Sequence, residues 1–370
     1  MLWFFLVIWL VYWLVLISII RAWAGIKSSG QKTVELSVSV IVPFRNEAQH
    51  LETLVKALGQ QAYPYFEVVF VNDHSTDASE QLLAEILKGV DFDYHLLNLS
   101  GTTGKKAAIS QGVGAAKGEI ILTTDADCVF AKHWIERMAG AFADSAAQMV
   151  SGPVNLVGTS FFQKWQQMEF SVLIATGAAG ISWQKPSMAN GANLAYRKSV
   201  FQAVAGFDGV DAIASGDDEL LMMKVHKAYP GSIRFVKECD AVVTTEALGS
   251  WAEFRNQRLR WAGKWRYGKR KASVIGALSV FGFNLLIISL PVLALAGLLD
   301  WGQVLAFFLS RLLIELALVL VLNRFFNNKL SVSALILHQI LYPFYAIYFG
   351  MAANFGNYQW KGRSYKVLAQ

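Results

Sequence analysis

The sequence predicts an α/β domain with a mostly parallel, Rossmann-like sheet, joined to transmembrane helices. β-branched runs at residues 38–42, 67–71 and 119–123 alternate with helix-like stretches in the middle of the 370-residue chain, which is typical of such a sheet. Only 16% of the residues are charged and 54% are apolar, whereas soluble chains carry about a quarter charged residues. The charge deficit is concentrated at the two ends, which indicates membrane segments there.

The N-terminal apolar stretch has the length of a membrane span. Residues 2–20 contain no charge, and about twenty apolar residues cross the hydrocarbon core. A cleaved signal peptide is the alternative, because Ala-Trp-Ala at 22–24 resembles a cleavage site. The length of the run and the absence of a preceding basic residue favour an uncleaved anchor at residues 1–24. The positive-inside rule then predicts an inner (plasma) membrane protein whose next domain is cytoplasmic, because the following basic residues are Arg21, Lys27 and Lys32.

The C-terminal region, residues 273–358, is also predicted to lie in the membrane. Arg324 and Lys329 favour a cytoplasmic loop between its last two apolar stretches. Four spans would then place the basic tail, residues 359–370, outside the cytoplasm. Either the rule fails at the tail or one stretch is re-entrant or interfacial. The three apolar stretches are 274–299, 304–321 and 334–355.

Two charges inside the middle stretch stand out. Arg311 and Glu315 are four residues apart and therefore share one helix face. Charges within a membrane are costly and are usually paired or functional. An ion pair that locks the helix bundle is one interpretation, and contact with a lipid headgroup or a sugar is the other.

Polar clusters follow the strands of the predicted α/β domain, residues 33–250. They lie at 45–47, 72–75 and 125–127, beyond the carboxyl ends of strands, where ligands of such sheets bind. Asp125 and Asp127 can both face one cation, and carboxylate oxygens suit Mg²⁺ or Mn²⁺ beside a diphosphate.

Further polar residues point to the same kind of ligand. Asp73 can accept hydrogen bonds from a base or ribose, or can form a turn. Lys105 opens a helix, where an anion is favoured, although a solvated lysine is the alternative. Three acids at 217–219 provide a candidate general base in Asp218 or cap a helix start.

A basic, aromatic stretch precedes the C-terminal membrane region. Residues 251–272 are predicted to form an amphipathic interfacial helix that carries Gln-Arg-Leu-Arg-Trp at 257–261. Arginine binds phosphate in a bidentate manner, and tryptophan can contact a sugar ring or anchor the interface. The position of the stretch favours an anionic membrane surface over nucleic acid, which is not a predicted partner.

These motifs together resemble the family 2 glycosyltransferases, which carry a GT-A catalytic domain. The resemblance covers about residues 38–261, and the motifs match in order and spacing. The Gln-Arg-x-Arg-Trp motif is similar to that of ceramide glucosyltransferases and of cellulose, chitin and hyaluronan synthases. The matching segments are 42–47, 71–77, Gly104-Lys105, Asp125-Ala126-Asp127, 216–218 and 257–261.

The resemblance implies a role for each matching residue. Asp73 would contact the base, Lys105 the donor nucleotide, Asp125 the donor sugar or ribose, and Asp127 the Mg²⁺ or Mn²⁺ cofactor. Asp218 would be the catalytic base. Asn72 and His74 replace the commoner Asp and Gly of the family, which makes the donor preference less certain. The other implied donor residues are Pro43, Asn46, Glu47 and Asn193, and the implied diphosphate and acceptor residues are Gln257, Arg258, Arg260 and Trp261.

The expected function is therefore inverting, metal-dependent transfer of a sugar from a nucleotide-sugar, by resemblance a UDP-sugar, to a membrane-held acceptor that is most simply a lipid. A processive polysaccharide synthase is the alternative. A nucleotidyltransferase would not need the motif at 257–261 beside a membrane helix. An inactive scaffold is disfavoured, because buried acids without a cation would only destabilise it.

Overall fold

The computed structural model describes residues 2–27, 34–210, 216–262, 271–352, 357–361 and 363–366. The chain forms two compact units. The α/β unit comprises Ala22–Val157 and Thr176–Glu246, and the membrane unit comprises Met1–Arg21, Gly158–Ala175 and Ala247–Gln370. The domain boundaries expected from the sequence remain predictions. Parts of three expected features lie outside the described residues, namely 263–270 of the interfacial helix, 353–355 of the last apolar stretch and 367–370 of the basic tail.

Strands and helices alternate in the α/β unit. In chain order the described strands are β1 (Val38–Phe44), β2 (Phe66–Asn72), β3 (Asp93–Asn98), β4 (Ile120–Thr123), β5 (Val129–Phe130), β6 (Met149–Ser151), β7 (Val154–Val157), β8 (Leu194–Arg197), β9 (Ile233–Phe235), β10 (Val243–Glu246), β11 (Asn357–Trp360) and β12 (Arg363–Lys366). The described α-helices are α1 (Leu2–Gly25), α2 (Leu51–Gly59), α3 (Ser79–Ile86), α4 (Lys105–Ala115), α5 (Trp134–Gly140), α6 (Phe161–Ser182), α7 (Lys198–Ala203), α8 (Asp217–Ala228), α9 (Trp251–Ala262), α10 (Lys271–Leu295), α11 (Trp301–Phe326) and α12 (Val332–Ala352).

The main sheet has the order β3-β2-β1-β4-β8-β6-β9. Strand β1 runs parallel to β2 and β4, and β2 runs parallel to β3, whereas β8 is antiparallel to β4 and β6. Every residue of β1 is buried, as expected for a parallel strand that is covered on both faces. The predicted mostly parallel, Rossmann-like sheet is therefore confirmed. A second sheet has the order β5-β10-β7.

Two helices begin later than the sequence pattern predicts. The helix-like stretches begin at residues 47 and 77, whereas α2 begins at Leu51 and α3 at Ser79. The intervening residues form loops held by one local and one long-range hydrogen bond between backbone and side chain. The carboxylate of Asp77 accepts from the backbone N–H of Ser79 at 3.0 Å, and the backbone N–H of Glu47 donates to the Ser79 hydroxyl at 2.8 Å. These bonds compete with the first helical turn.

Helix α4 approaches the sheet closely at Gly112. A Cβ atom there would lie 2.7 Å from Cγ2 of Ile41 and 3.3 Å from Cγ2 of Val71. Both neighbours are fully buried core residues, so neither can move aside easily.

We expect Gly112→Ala to destabilise the protein by about 1–3 kcal/mol through overpacking, which exceeds the gain of about 1 kcal/mol from better helix propensity. Gly114→Ala in the same helix is the matched control. It meets no atom within 4 Å and should stabilise slightly. Thermal unfolding of the purified full chain in detergent checks both variants. Equal stability of the two would contradict the proposed close contact.

The membrane unit contains the predicted apolar helices. Four described helices are long and apolar enough to cross a membrane, with spans at Phe5–Gly25, Leu278–Leu295, Trp301–Phe326 and Val332–Ala352. Residues of α1, α10 and α11 share one apolar cluster. Within it the indole N–H of Trp9 donates to the Ser310 hydroxyl at 2.7 Å. These helices indicate a membrane-associated protein.

The charges at 311 and 315 form a buried polar cluster in the membrane unit. Nε of Arg311 lies 2.8 Å from Oε1 of Glu315, and Arg311 also donates to the carbonyl of Gln339 at 3.1 Å. Glu315 accepts from the Tyr12 hydroxyl and, at 2.5 Å, from the Gln339 amide. These contacts join α1, α11 and α12. The geometry agrees with an ion pair that locks the helices together.

Candidate active site

The loops that follow β1 and β2 interlock. The Asn46 side chain accepts from the backbone N–H of Thr76 at 2.8 Å, and the Asn46 N–H donates to the Ser75 hydroxyl. Asn46 and His74 both have positive φ angles, 53° and 57°, a conformation that asparagine tolerates better than most residues. The Asn46 side chain therefore shapes the loop. Pro43 is buried inside β1, and Glu47 is buried just beyond it, so both help to position this loop.

Arg45 and Asp73 connect the loop after β2 to the loop after β1 and to the start of α4. Arg45 donates to the carbonyls of Asp73 at 2.8 Å and His74 at 2.6 Å. The Asp73 side chain is 4% exposed and accepts from the backbone N–H of Gly104 at 3.1 Å. Nδ1 of His74 lies 3.2 Å from the other oxygen of Asp73. Asp73 thus sits between the end of β2 and the start of α4, next to Lys105.

Lys105 is the centre of a charge cluster. Its Nζ lies 2.5 Å from Oδ1 of Asp125 and 3.5 Å from Oδ2 of Asp217. Burial alone would lower the pKa of Lys105, but the negative charges of Asp125 and Asp217 outweigh burial and raise that pKa. The lysine therefore remains a cation and ties the end of β4 to the start of α8. A fixed cation at the strand ends can attract a phosphate group.

Asp218 is the second residue of α8 and lies beside this cluster. One of its oxygens accepts from the backbone N–H of Gly191 at 3.2 Å, and the other accepts from the N–H of Glu219 at 2.7 Å. These bonds hold the carboxylate in one orientation. Gly191 is a site residue that the sequence analysis missed, although it lies only two residues before Asn193. A Cβ atom at Gly191 would come within 2.8 Å of Oδ2 of Asp217 and 3.3 Å of Nζ of Lys105, so only glycine allows the close approach.

Asp127 is the candidate metal ligand. Its side chain is exposed, and it accepts from the Thr245 hydroxyl of β10 at 3.2 Å. No group of three or more His, Cys, Asp or Glu side chains within the described parts of the chain can hold a metal ion by itself. One or two carboxylates are nevertheless sufficient for Mg²⁺ when substrate phosphates supply further oxygens. Asp127 therefore fits a cation that is bound jointly with a diphosphate.

Asn193 is held firmly by its neighbours. Its side chain is fully buried. The indole N–H of Trp134 donates to it at 3.0 Å, and its amide donates to the carbonyls of Pro153 and Ala241, each at 2.8 Å. Both amide protons are thus used inside the protein. These bonds fix the segment that follows Gly191, and the donor contact expected of Asn193 remains a prediction.

The Gln-Arg-Leu-Arg-Trp motif lies on α9 in the membrane unit. Arg258 is 4% exposed, and its Nη2 lies 2.5 Å from Oε2 of Glu169, which is 7% exposed. The guanidinium also donates a hydrogen bond to the side-chain oxygen of Gln257 at 3.0 Å. Its central carbon lies 4.3 Å from the centre of the Trp261 ring. Arg258 is thus bound to Glu169 within the membrane unit, and its contact with a diphosphate remains a prediction. The sequence analysis did not identify Glu169, because no local motif distinguishes this carboxylate on the mostly apolar helix α6.

The predicted site residues thus fall into two groups. The α/β unit brings together Asp73, Lys105, Asp125 and Asp218, with Asp127 nearby in the chain. The residues at 257–261 belong to the membrane unit, where Arg260 and Trp261 are partly exposed.

Comparisons with known proteins bear on the family and the fold of the chain. Residues 39–205 match the family model described as Glycosyl transferase family 2. The probable glycosyltransferase YdaM of Bacillus subtilis (strain 168) is 26% identical over 234 residues, which cover 61% of this chain and 54% of that protein. The undecaprenyl-phosphate 4-deoxy-4-formamido-L-arabinose transferase of Pseudomonas fluorescens (strain Pf0-1) is 38% identical over 93 residues, which cover 24% of this chain and 27% of that protein. The chain therefore spans about half the length of the first relative and about a quarter of the second.

A solved structure shares the fold. The mannosyltransferase PcManGT from Pyrobaculum calidifontis, in complex with GDP-Man and Mn²⁺, superimposes with a TM-score of 0.61 at 19% identity, covering 90% of this chain and 94% of that one. The sheet and this neighbour define a GT-A fold. Residues 39–205, somewhat less than half of the chain, form a domain that matches glycosyl transferase family 2, as the sequence motifs predict.

Proposed function

We propose that this protein is an inverting glycosyltransferase that moves a sugar from a nucleotide-sugar, preferentially a UDP-sugar, to a lipid acceptor in the membrane. The observation that carries the proposal is the oriented carboxylate of Asp218 beside the Lys105 charge cluster, at the carboxyl ends of the strands. A base and a fixed cation close to one another are what sugar transfer from a diphosphate requires.

The reaction follows from these two groups. Asp218 accepts the proton of the acceptor hydroxyl while that oxygen forms a bond to the anomeric carbon. The bond from that carbon to the diphosphate breaks on the opposite face, and the diphosphate leaves with the bonding electrons. Lys105 stabilises the negative charge that develops on the leaving group. Attack opposite the leaving group inverts the anomeric configuration.

The remaining residues of the α/β unit would bind the donor. Asp73 would accept hydrogen bonds from the base. Asp125 would contact the donor sugar or the ribose, and this contact would replace part of its ion pair with Lys105. A bound Mg²⁺ or Mn²⁺, held by Asp127, would neutralise the diphosphate. The neighbour with GDP-Man and Mn²⁺ supports a divalent cation in this fold.

The membrane unit would bind the acceptor. Four candidate spans and a relative named for undecaprenyl-phosphate support a lipid acceptor. Gln257, Arg260 and Trp261 would lie near the diphosphate and the acceptor. The packing of α1 against α10 and α11 supports a retained anchor. The inner-membrane location and the cytoplasmic catalytic domain are part of the proposal and rest on the basic residues that follow the first span. The Gln-Arg-x-Arg-Trp motif is also typical of processive synthases, so polymer synthesis is the second candidate.

A product assay tests the proposal. Membranes that contain the full chain are incubated with a panel of labelled nucleotide-sugars and are then extracted with organic solvent. We expect one discrete labelled lipid with a UDP-sugar, loss of the product after chelation of divalent cations, and recovery with Mn²⁺ or Mg²⁺. A ladder of sizes would identify a processive synthase instead. Unchanged activity after chelation would refute the metal role of Asp127, and an absence of transfer with every donor would refute the function.

A further inference from the structure

Thr123, the last residue of β4, places a hydroxyl group inside the α/β unit. The residue is 2% exposed. Its hydroxyl donates to the carbonyl of Gly191 at 2.8 Å and also lies 3.2 Å from the carbonyl of Leu194. A hydroxyl has a single proton to donate, so the shorter contact with Gly191 is its main bond. None of the donor, metal or acceptor contacts proposed for this protein involves Thr123.

Gly191 is held on both sides of its Cα atom. Its carbonyl accepts from the Thr123 hydroxyl, and its backbone N–H donates to Oδ2 of Asp218 at 3.2 Å. A glycine has no side chain that could fix its position, and its backbone can adopt many conformations. The direction of the N–H that contacts Asp218 therefore depends on bonds to the backbone, and the Thr123 hydroxyl makes one of them directly at Gly191.

The turn that begins at Gly191 is fixed at its other end independently of Thr123. This 3-10 turn spans Gly191–Asn193. The Asn193 amide donates to the carbonyls of Pro153 and Ala241, and the backbone N–H of Gly152 donates to the Asn193 carbonyl at 2.8 Å. These bonds remain when the Thr123 hydroxyl is removed, so its loss should release Gly191 locally and leave the segment folded.

We propose that Thr123 is a positioning residue that acts on the catalytic base Asp218 through Gly191. The inference rests on the proposed function, which makes Asp218 the proton acceptor of sugar transfer. A general base has to lie within hydrogen-bond reach of the proton that it removes, and a misplacement of about 1 Å can lower a rate 10²-fold. Asp125 lies two residues beyond Thr123, so β4 would set the positions of the donor contact and of the base together.

Steady-state kinetics of the full chain in membranes test the proposal, with a panel of labelled UDP-sugars as donors and extraction of the labelled lipid. Thr123→Val removes the hydroxyl and keeps nearly the same shape. We expect its kcat to fall roughly tenfold or more, while the donor KM and the Kd of UDP change by less than about twofold. Thr123→Ser keeps the hydroxyl and should restore kcat to within about threefold of the parent. A merely structural role would not separate kcat from donor binding in this way.

Ser39→Ala is the matched control for the loss of a buried hydroxyl. Ser39 is fully buried near the start of β1. Its hydroxyl donates to Glu67 at 2.6 Å and accepts from the backbone N–H of Gly118 at 2.8 Å. Removal of this hydroxyl leaves two buried groups without that partner, so the unfolding temperature should fall at least as much as in Thr123→Val. The kcat of Ser39→Ala should nevertheless stay within about twofold of the parent.

Several results would overturn the proposal. These are a parental kcat in Thr123→Val, equal losses of kcat in the Thr123→Val and Ser39→Ala variants, and a loss in Thr123→Ser as large as in Thr123→Val. If Thr123→Val does not fold, Thr123→Ala removes the same hydroxyl with a smaller side chain and is judged against Thr123→Ser in the same way. An absence of transfer by the parent with every donor would refute the proposed function itself, whereas an active parent with an equally active Thr123→Val variant would refute only the role of Thr123.

Discussion

Asp218→Asn should lower the turnover of sugar transfer by a factor of about 10²–10⁴, because an amide cannot accept the proton of the acceptor hydroxyl. Asparagine has nearly the same shape, but its single carbonyl oxygen can keep only one of the two bonds that the carboxylate accepts, from Gly191 at 3.2 Å and from Glu219 at 2.7 Å. Initial rates with labelled donor measure the effect. Donor binding, measured by titration of the nucleoside diphosphate, and the unfolding temperature should remain close to those of the parent.

Glu219→Gln provides the control for Asp218→Asn. Glu219 is the next acid in the first turn of α8 and has no assigned role in transfer, so its variant removes the same charge from the same helix end. We expect its turnover to stay within a few-fold of the parent. Full activity of Asp218→Asn would show that another group accepts the proton. Equal losses in both variants would show that the charge of the helix end matters rather than one base.

Arg258→Ala should destabilise the protein by about 3–5 kcal/mol, since it leaves a buried carboxylate without its partner. Arg258 and Glu169 are 4% and 7% exposed and 2.5 Å apart. Glu169 would keep only the Tyr345 hydroxyl, which donates to it at 2.8 Å. The guanidinium also packs against the Phe254 ring, 4.5 Å from its centre. The half-inactivation temperature of the detergent-solubilised protein measures the loss.

A double variant separates a structural role of Arg258 from a role in binding the donor. Arg258→Met combined with Glu169→Met removes both charges and keeps apolar volume, which is often neutral or stabilising for a buried ion pair. We expect stability to return toward that of the parent and activity to return with it. Restored stability without activity would show that Arg258 contacts the diphosphate after all. A stable Arg258→Ala protein would contradict the importance of the ion pair.

The class of fold could be predicted because it depends on patterns along the chain. The strand β1 is buried at every position, and its sequence is apolar apart from Ser39. The membrane helices are recognised by length and by the lack of charge. The acids at 125, 127 and 218 were found because they follow strands or open a helix, and the topology brings such positions to one edge of the sheet.

The sequence by itself therefore determined the family, the parallel sheet, the membrane helices and the set of candidate acids. Only the tertiary structure decided which polar side chains are already bound within the protein. Asn193 contacts Trp134, 59 residues away, and Arg258 contacts Glu169, 89 residues away. A polar side chain that meets a partner in the core is satisfied there, whereas one at the strand ends, such as exposed Asp127, is accessible to a ligand. Burial and long-range partners arise from packing, and no local pattern encodes them.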